Sequence, residues 1–311
     1  MDGVAGEARI RIVALVTNAA SGSLAERGLD PAAPAAALAA VGLAVRAEPD
    51  PTLPLDARLR AAASLPGIDA LVVAGGDGTL ACAAQVLAGG DVALGILPAG
   101  TMNLLARDLG IPLALEAAAA VIADGRARAI DLGEVNGHVF AINSVLGMPA
   151  RMARYREAER GRPSLAGLAR FLAALLRNLD PAPRITARLT RGGTSERVRF
   201  HTFAAVVGDY REEVGEVLSR AEVDRGRFTL YLLARLSARR LLRLGLGFAA
   251  GAWRALPDLD RLEATSFALH TRRRSLRVMN DGEVILLRTP LNYRIRPGAL
   301  RVLVPADEAR A

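Results

Sequence analysis

Lysine is absent from this chain, and all 40 of its basic residues are arginines. That removes every mechanism built on a Schiff-base amine. It also removes the phosphate loop GxxxxGK[ST], whose lysine reaches the β- and γ-phosphates. The single cysteine, Cys82, excludes an internal disulfide framework and a cysteine-ligated zinc site, and gives no sign of an oxidising compartment. The three histidines, His138, His201 and His270, lie without ligand spacing, and neither an HExxH nor an EF-hand loop occurs. Aromatics make up 4% of residues and do not interleave with the arginines, which argues against a stacking surface for nucleic acid. Long apolar runs are missing too. Pro31–Val45 is mostly alanine, and Leu241–Leu256 is interrupted by Arg243 and Arg254. Neither reaches the ~20 apolar residues that a bilayer crossing needs. The N-terminus, with Asp2 and Glu7, has no basic run of the secretory kind, so a cytoplasmic location is expected.

What is present is a chain of 311 residues, 51% hydrophobic, long enough for one large domain or two ordinary ones. The net charge of +8 is local: residues 151–200 hold 12 arginines against four acids, and the remainder balances. A basic surface is implied, and an anionic membrane face is one partner that fits it; a solvated arginine-biased face is the plainer alternative.

Strand and helix signals alternate over the first 130 residues. Apolar strands at Ile10–Val16, Leu43–Arg46, Asp69–Ala74 and Ala93–Leu97 are separated by helical stretches, which predicts a mostly parallel three-layer α/β domain. The pattern changes near Asp131. Asn136-Gly137 between two apolar runs is a strong hairpin signal, and the strands expected after it include Ile185–Thr190, Val198–Val207, Phe228–Leu233, Ser266–Thr271, Leu276–Met279, Val284–Leu287 and Leu300–Val304. An antiparallel β-sandwich domain over 131–298 follows, with helical insertions at Ser164–Leu179 and Leu236–Ala252; the segment 299–311 can return to the first domain over 1–130. The junction between domains is the natural place for a ligand cleft.

Gly75-Gly76-Asp77-Gly78-Thr79 follows an apolar strand and opens a helix. Glycines there let backbone N–H groups approach a ligand, and a helix N-terminus favours a phosphate. Asp77 would repel that phosphate unless Mg²⁺ lay between them or it handled a proton. A glycine-rich turn with an Asp cap is the alternative reading. Two further polar loops, Asn18–Gly22 and Pro98–Asn103, also follow strands of the same sheet, and parallel strands bring such loops to one edge. Thr101 and Asn103 can donate to phosphate or sugar, and Asn103 can cap the next helix. On local grounds Asp281-Gly282-Glu283 is an ordinary hairpin turn. Cys82, in the helix after the glycines, reads as a core thiol.

The stretches Val72-Val-Ala-Gly-Gly-Asp-Gly-Thr-Leu80 and Leu94-Gly-Ile-Leu-Pro-Ala-Gly-Thr-Met-Asn-Leu-Leu-Ala-Arg-Asp-Leu-Gly-Ile-Pro112 together resemble the catalytic domain of the diacylglycerol kinase family, the bacterial lipid kinases related to sphingosine kinases. Asn18–Gly22, Ala129–Gly133 and Asn280–Glu283 extend the resemblance over nearly the whole chain. It implies an N-terminal α/β domain joined to a C-terminal β-sandwich, ATP as phosphoryl donor and a lipid hydroxyl as acceptor. On that resemblance Asn18, Gly75, Gly76, Asp77, Gly78, Thr79, Leu80, Thr101 and Asn103 hold the nucleotide. Glu283 takes the acceptor proton, and Asp77 organises Mg²⁺ with Asp131. Contact with an anionic membrane at its inner face fits a lipid substrate, and a homodimer is left open. The chain departs from the family at Ala81-Cys82, at Leu104, and at Asp224-Arg225-Gly226, where a guanidinium replaces a carboxylate of the family's structural Mg²⁺ turn. That metal site is therefore expected to be missing. A soluble NAD kinase-like enzyme and a catalytically silent lipid-binding protein are the alternatives.

Overall fold

The computed structural model describes residues 10–18, 30–47, 49–147, 184–211, 219–234 and 259–306. It divides into two compact units, residues 1–130 with 298–311, and residues 131–297. The helical insertions expected at Ser164–Leu179 and Leu236–Ala252 lie outside the described residues, as do most of the arginines of 151–200.

The first unit runs β1 (Ile12–Thr17), α1 (Ala33–Ala40), β2 (Ala44–Ala47), α2 (Leu55–Ala63), β3 (Ala70–Gly75), α3 (Asp77–Leu87), β4 (Ala93–Pro98), α4 (Leu104–Asp108) and α5 (Leu115–Asp124). Its sheet has the order β2-β1-β3-β4, all parallel, and Val302 near the chain's end pairs parallel with Leu94 of β4. Every residue of β3 and β4 is buried, as expected for strands covered on both faces, which is why they read as unbroken apolar runs. Helix α1 packs against α5, and α3 against both α2 and α4.

The second unit is built from the last part of β5 (Arg126–Val135), β6 (His138–Phe140), β7 (Asn143–Gly147), β8 (Ile185–Arg191), β9 (Thr194–Phe200), β10 (Thr202–Val207), β11 (Asp209–Tyr210), β12 (Arg220–Glu222), β13 (Phe228–Leu233), β14 (Leu259–Ala264), β15 (Ser266–Thr271), β16 (Ser275–Asn280), β17 (Glu283–Arg288) and the first part of β18 (Leu291–Val304). One antiparallel sheet has the order β14-β13-β10-β7-β16-β17; the other carries β18-β15-β8-β9, with β5 beside β18 and β6 beside β5. Their facing sides meet in one core that includes Phe140, Phe200, Phe203, Phe228, Phe267 and Tyr293. The scarce aromatics are thus concentrated here, with the Phe267 and Tyr293 rings stacked at 4.4 Å. The first unit instead relies on Val, Leu, Ile and Ala.

Two details differ from the sequence-based expectation. The single strand expected over Val198–Val207 is broken at His201, so β9 and β10 belong to different sheets. Gly147 lies against that break, where an added Cβ would sit 2.0 Å from the His201 carbonyl oxygen. The last strand starts at Leu291 rather than Leu300, because Pro297-Gly298 does not interrupt it. No helix among the described residues is long and apolar enough to cross a membrane.

Candidate functional site

The parallel sheet sets three chain exits side by side. The N–H of Asn18, just after β1, donates to the Ala74 carbonyl (3.0 Å), and the N–H of Ala99, just after β4, donates to the Gly75 carbonyl (3.0 Å). The Asn18 side-chain amide donates to Thr79 Oγ1 (2.9 Å), tying the end of β1 to the first turn of α3.

The glycines are required by loop meeting loop. A Cβ on Gly75 would fall 2.6 Å from the Thr79 Cβ, and one on Gly100 would fall 2.5 Å from the Gly76 Cα. Neither Gly75, Gly76 nor Gly100 has positive φ, so close approach, not left-handed backbone, excludes side chains here. Packed this way, α3 begins at an extended Gly76 with no side-chain cap. The Thr79 N–H turns back to the Gly76 carbonyl (2.9 Å), and the N–H groups ahead of it, with the positive dipole end, suit an anion.

Asp77 stands in that first turn. Its Oδ1 accepts the Leu105 N–H at 3.3 Å, so it also serves the start of α4. Burial raises its pKa above the ordinary carboxylate range, against the N–H groups of Leu105, Leu104 and Asn103. Thr101, in the loop after β4, is exposed. The other residues expected to touch the nucleotide are built into the scaffold. Asn103 is fully buried at φ 49°, accepts the Gly100 N–H and donates to the Gly100 carbonyl, both at 2.7 Å. Its amide closes the loop on itself, because Asn tolerates left-handed backbone and can reach its own turn. Leu80 and Thr79 are 1% and 4% exposed, so both side chains belong to the interior. Arg58, which drew no attention in the sequence, is buried and donates to the Thr17 carbonyl (2.8 Å) at the exit of β1. Only its place on the face of a short amphipathic helix could have flagged it. Cys82 is half-buried, and burial raises its thiol pKa, which does not suit a nucleophile.

In the second unit, Asp281 and Gly282 (φ 46° and 92°) form the turn between β16 and β17. The Asp281 carboxylate accepts the N–H groups of Ala141 (2.6 Å), Ile142 (2.9 Å) and Asn143 (2.9 Å). It anchors the turn to the segment before β7, while Glu283 stands exposed at the start of β17. Asp131 is buried and accepts the Gly226 N–H. In the same turn Arg225 is ion-paired with Glu222. Gly226 and Arg225 of the Asp224-Arg225-Gly226 turn are thus each engaged with a protein carboxylate.

No group of three or more His, Cys, Asp or Glu that could hold a metal occurs among the described residues. A metal held by one carboxylate and by substrate phosphates needs less, and Asp77 at the open start of α3 fits that role. Asp131, expected as its partner ligand, has one carboxylate oxygen on the Gly226 N–H.

Comparison with known proteins places this geometry. Residues 12–135 match the diacylglycerol kinase catalytic domain, and residues 144–304 match the YegS C-terminal NAD kinase beta sandwich-like domain. A Mycobacterium tuberculosis protein called diacylglycerol kinase is 34% identical over 265 residues, covering 80% of this chain and 82% of its own. A Pseudomonas aeruginosa protein called a probable lipid kinase YegS-like is 33% identical over 245 residues, 77% of this chain and 78% of its own. The crystal structure of a putative diacylglycerol kinase from Bacillus anthracis shares the fold, with a TM-score of 0.72 at 19% identity over 96% of this chain and 98% of that one. An N-terminal parallel α/β unit followed by an antiparallel β-sandwich, with these matches along both, shows that the chain belongs to the diacylglycerol kinase catalytic-domain family.

Proposed function

We propose that the chain is an ATP-dependent kinase that phosphorylates a hydroxyl of a diacylglycerol-like lipid. The observation that carries the reading is the uncapped start of α3, wedged between Gly76 and Gly100, in a chain 34% identical to a protein called diacylglycerol kinase. The N–H groups of the first turn of α3 bind the phosphates of ATP, and exposed Thr101 adds a hydroxyl donor. Mg²⁺, arriving with the nucleotide, supplies neutralising charge on the phosphate oxygens, and Asp77 is the carboxylate that receives it. Asp281 fixes the hairpin turn, which holds Glu283 exposed at the start of β17. There Glu283 accepts the proton of the lipid hydroxyl as the phosphoryl group arrives. Positioning and charge stabilisation supply most of the catalysis of such a transfer.

A lipid acceptor also calls for contact with a membrane, here its inner, cytoplasmic face. In the second unit a groove of about 670 Å³ is lined by Arg184, Arg188, Arg197, His270, Arg272 and Arg273, with no acid among its lining residues. Arg188 stands directly across from Arg197 in the sheet. Like charges so placed repel unless an anion lies between them, which supports docking on anionic headgroups.

Radiolabelled ATP with Mg²⁺ and a panel of lipid acceptors in vesicles tests the reading, with NAD as control. Label in a chloroform-soluble product is expected. Label in NADP would favour a NAD kinase-like enzyme, and lipid binding without turnover would favour a silent lipid-binding protein.

A further inference from the structure

One row of residues crosses the inner face of the β7-β16-β17 sheet next to the Asp281-Gly282 turn. In register, Ser144 of β7 stands opposite Asn280 of β16, and Asn280 stands opposite Glu283 of β17. The next row inward is Leu146, Val278 and Ile285, all in or against the sandwich core, and beyond it come Leu276 and Leu287. Residues directly opposite share a face, so Ser144, Asn280 and Glu283 form a polar end to an apolar interior. Exposure rises along the row. Ser144 is fully buried and bonded to the Tyr293 hydroxyl (3.0 Å), Asn280 is 6% exposed, and Glu283 is exposed.

Asn280 is the exception within this row. Both its amide nitrogen and its amide oxygen are buried with no hydrogen-bond partner. Buried polar groups are nearly always paired, because an unmet donor or acceptor carries the full loss of its hydration. An orphaned amide about 5 Å, Cβ to Cβ, from the expected proton acceptor calls for a ligand that offers it both an acceptor and a donor.

We infer that Asn280 is the acceptor-recognition residue of this site: its amide pairs with the polar group adjacent to the hydroxyl being phosphorylated, an ester carbonyl or a second hydroxyl, as an acylated glycerol carries. This rests on the lipid-kinase reading above and narrows its substrate. Glu283 takes the proton of one oxygen, and Asn280 engages the neighbouring one. A site built to hydrogen-bond a substrate group discriminates strongly against an analogue lacking it, since its own buried groups are then left unpaired. A simple long-chain alcohol, with nothing beside its hydroxyl, is therefore a poor acceptor.

The test is Asn280→Leu, which keeps the volume and removes both orphaned groups, assayed with diacylglycerol and with a long-chain 1-alkanol. In the wild type diacylglycerol is expected to have the lower KM. In the variant the KM for diacylglycerol rises about 10-fold, with the loss falling on KM rather than kcat, and the preference over the alkanol disappears. Removing unmet polar groups also raises the variant's Tm, by about 3 °C. A purely structural Asn would give the opposite sign in Tm. A variant that keeps the wild-type preference overturns the inference, and so does one that loses Tm while KM stays put. Should Asn280→Leu fail to fold, Asn280→Ser in the same two-acceptor assay decides. Wild-type protein that phosphorylates neither acceptor overturns the lipid-kinase reading itself, which separates that failure from this one.

Discussion

The dipeptide Asp-Gly occurs at a decisive place in each unit, Asp77-Gly78 in the first and Asp281-Gly282 in the second, and the two behave differently. Asp77 begins a helix of 11 residues, is half-buried, and faces the N–H groups of Leu105, Leu104 and Asn103, with its Oδ1 3.3 Å from that of Leu105. Asp281 sits in a two-residue hairpin turn, is 9% exposed, and has both oxygens engaged with three backbone N–H groups. The second carboxylate is part of the framework, and Glu283, two residues on, is the exposed acid of that turn. On the proposed reading one motif is a site and the other holds a site in place.

Substitutions should break the two turns in different ways. The largest effect is expected for Asp77→Asn, which keeps an oxygen for the Leu105 N–H but removes the charge. Kinase turnover is expected to fall by at least ~10³-fold while the circular dichroism spectrum and Tm stay close to wild type. Near-normal turnover would remove Asp77 from the chemistry. Asp281→Ala should do the reverse, lowering stability by about 3 kcal/mol in denaturant unfolding, because three buried N–H groups lose their acceptor.

A smaller effect is expected at the basic groove, where Arg188→Glu with Arg197→Glu should weaken co-sedimentation with anionic vesicles about 10-fold. Added salt should weaken wild-type binding too, since the Debye length is ~10 Å at 0.1 M. Binding that ignores both changes would leave the groove as solvated surface.

The smallest effect concerns pH. Burial raises the Asp281 pKa above the ordinary carboxylate range, although three N–H groups and Arg220 pull it down. The folded state then binds that proton more tightly than the unfolded chain. Its contribution is favourable at low pH and is lost as pH rises through the ordinary range toward the raised value. The stability lead of wild type over Asp281→Asn should therefore shrink between pH 4 and pH 7. A lead that grows would mean that the N–H groups outweigh burial.

Local patterns in the sequence were enough for much of the fold. Phe228–Leu233 and Ser266–Thr271 are strands with the bounds that their apolar runs suggested, and Asn136-Gly137 turns a hairpin with positive φ at both residues. Where the local signal failed, long-range pairing decided the outcome. The chain switches sheets at His201 inside the run Val198–Val207, and β18 continues through Pro297-Gly298. The site was legible to the same degree. The glycine motif was visible, but not the meeting of Gly76 with Gly100, which spacing along the chain does not encode. Asn18 and Asn103 carried the right chemistry for a ligand, yet each makes a hydrogen bond that only the folded loops supply. Asn280 was invisible as a recognition residue, because being orphaned depends on strand register and burial together.

The most direct test of the lipid-kinase account is Glu283→Gln, with kcat and ATP affinity measured on the same preparation. Glu283 and the loops assigned to ATP belong to different units, and a positioned base contributes ~10²–10⁴-fold. The expected result is a kcat lowered by that factor, with the ATP dissociation constant from calorimetry unchanged within about 2-fold. Retained turnover would return Asp281-Gly282-Glu283 to a plain hairpin, and lost ATP binding would contradict the division of labour between the two turns.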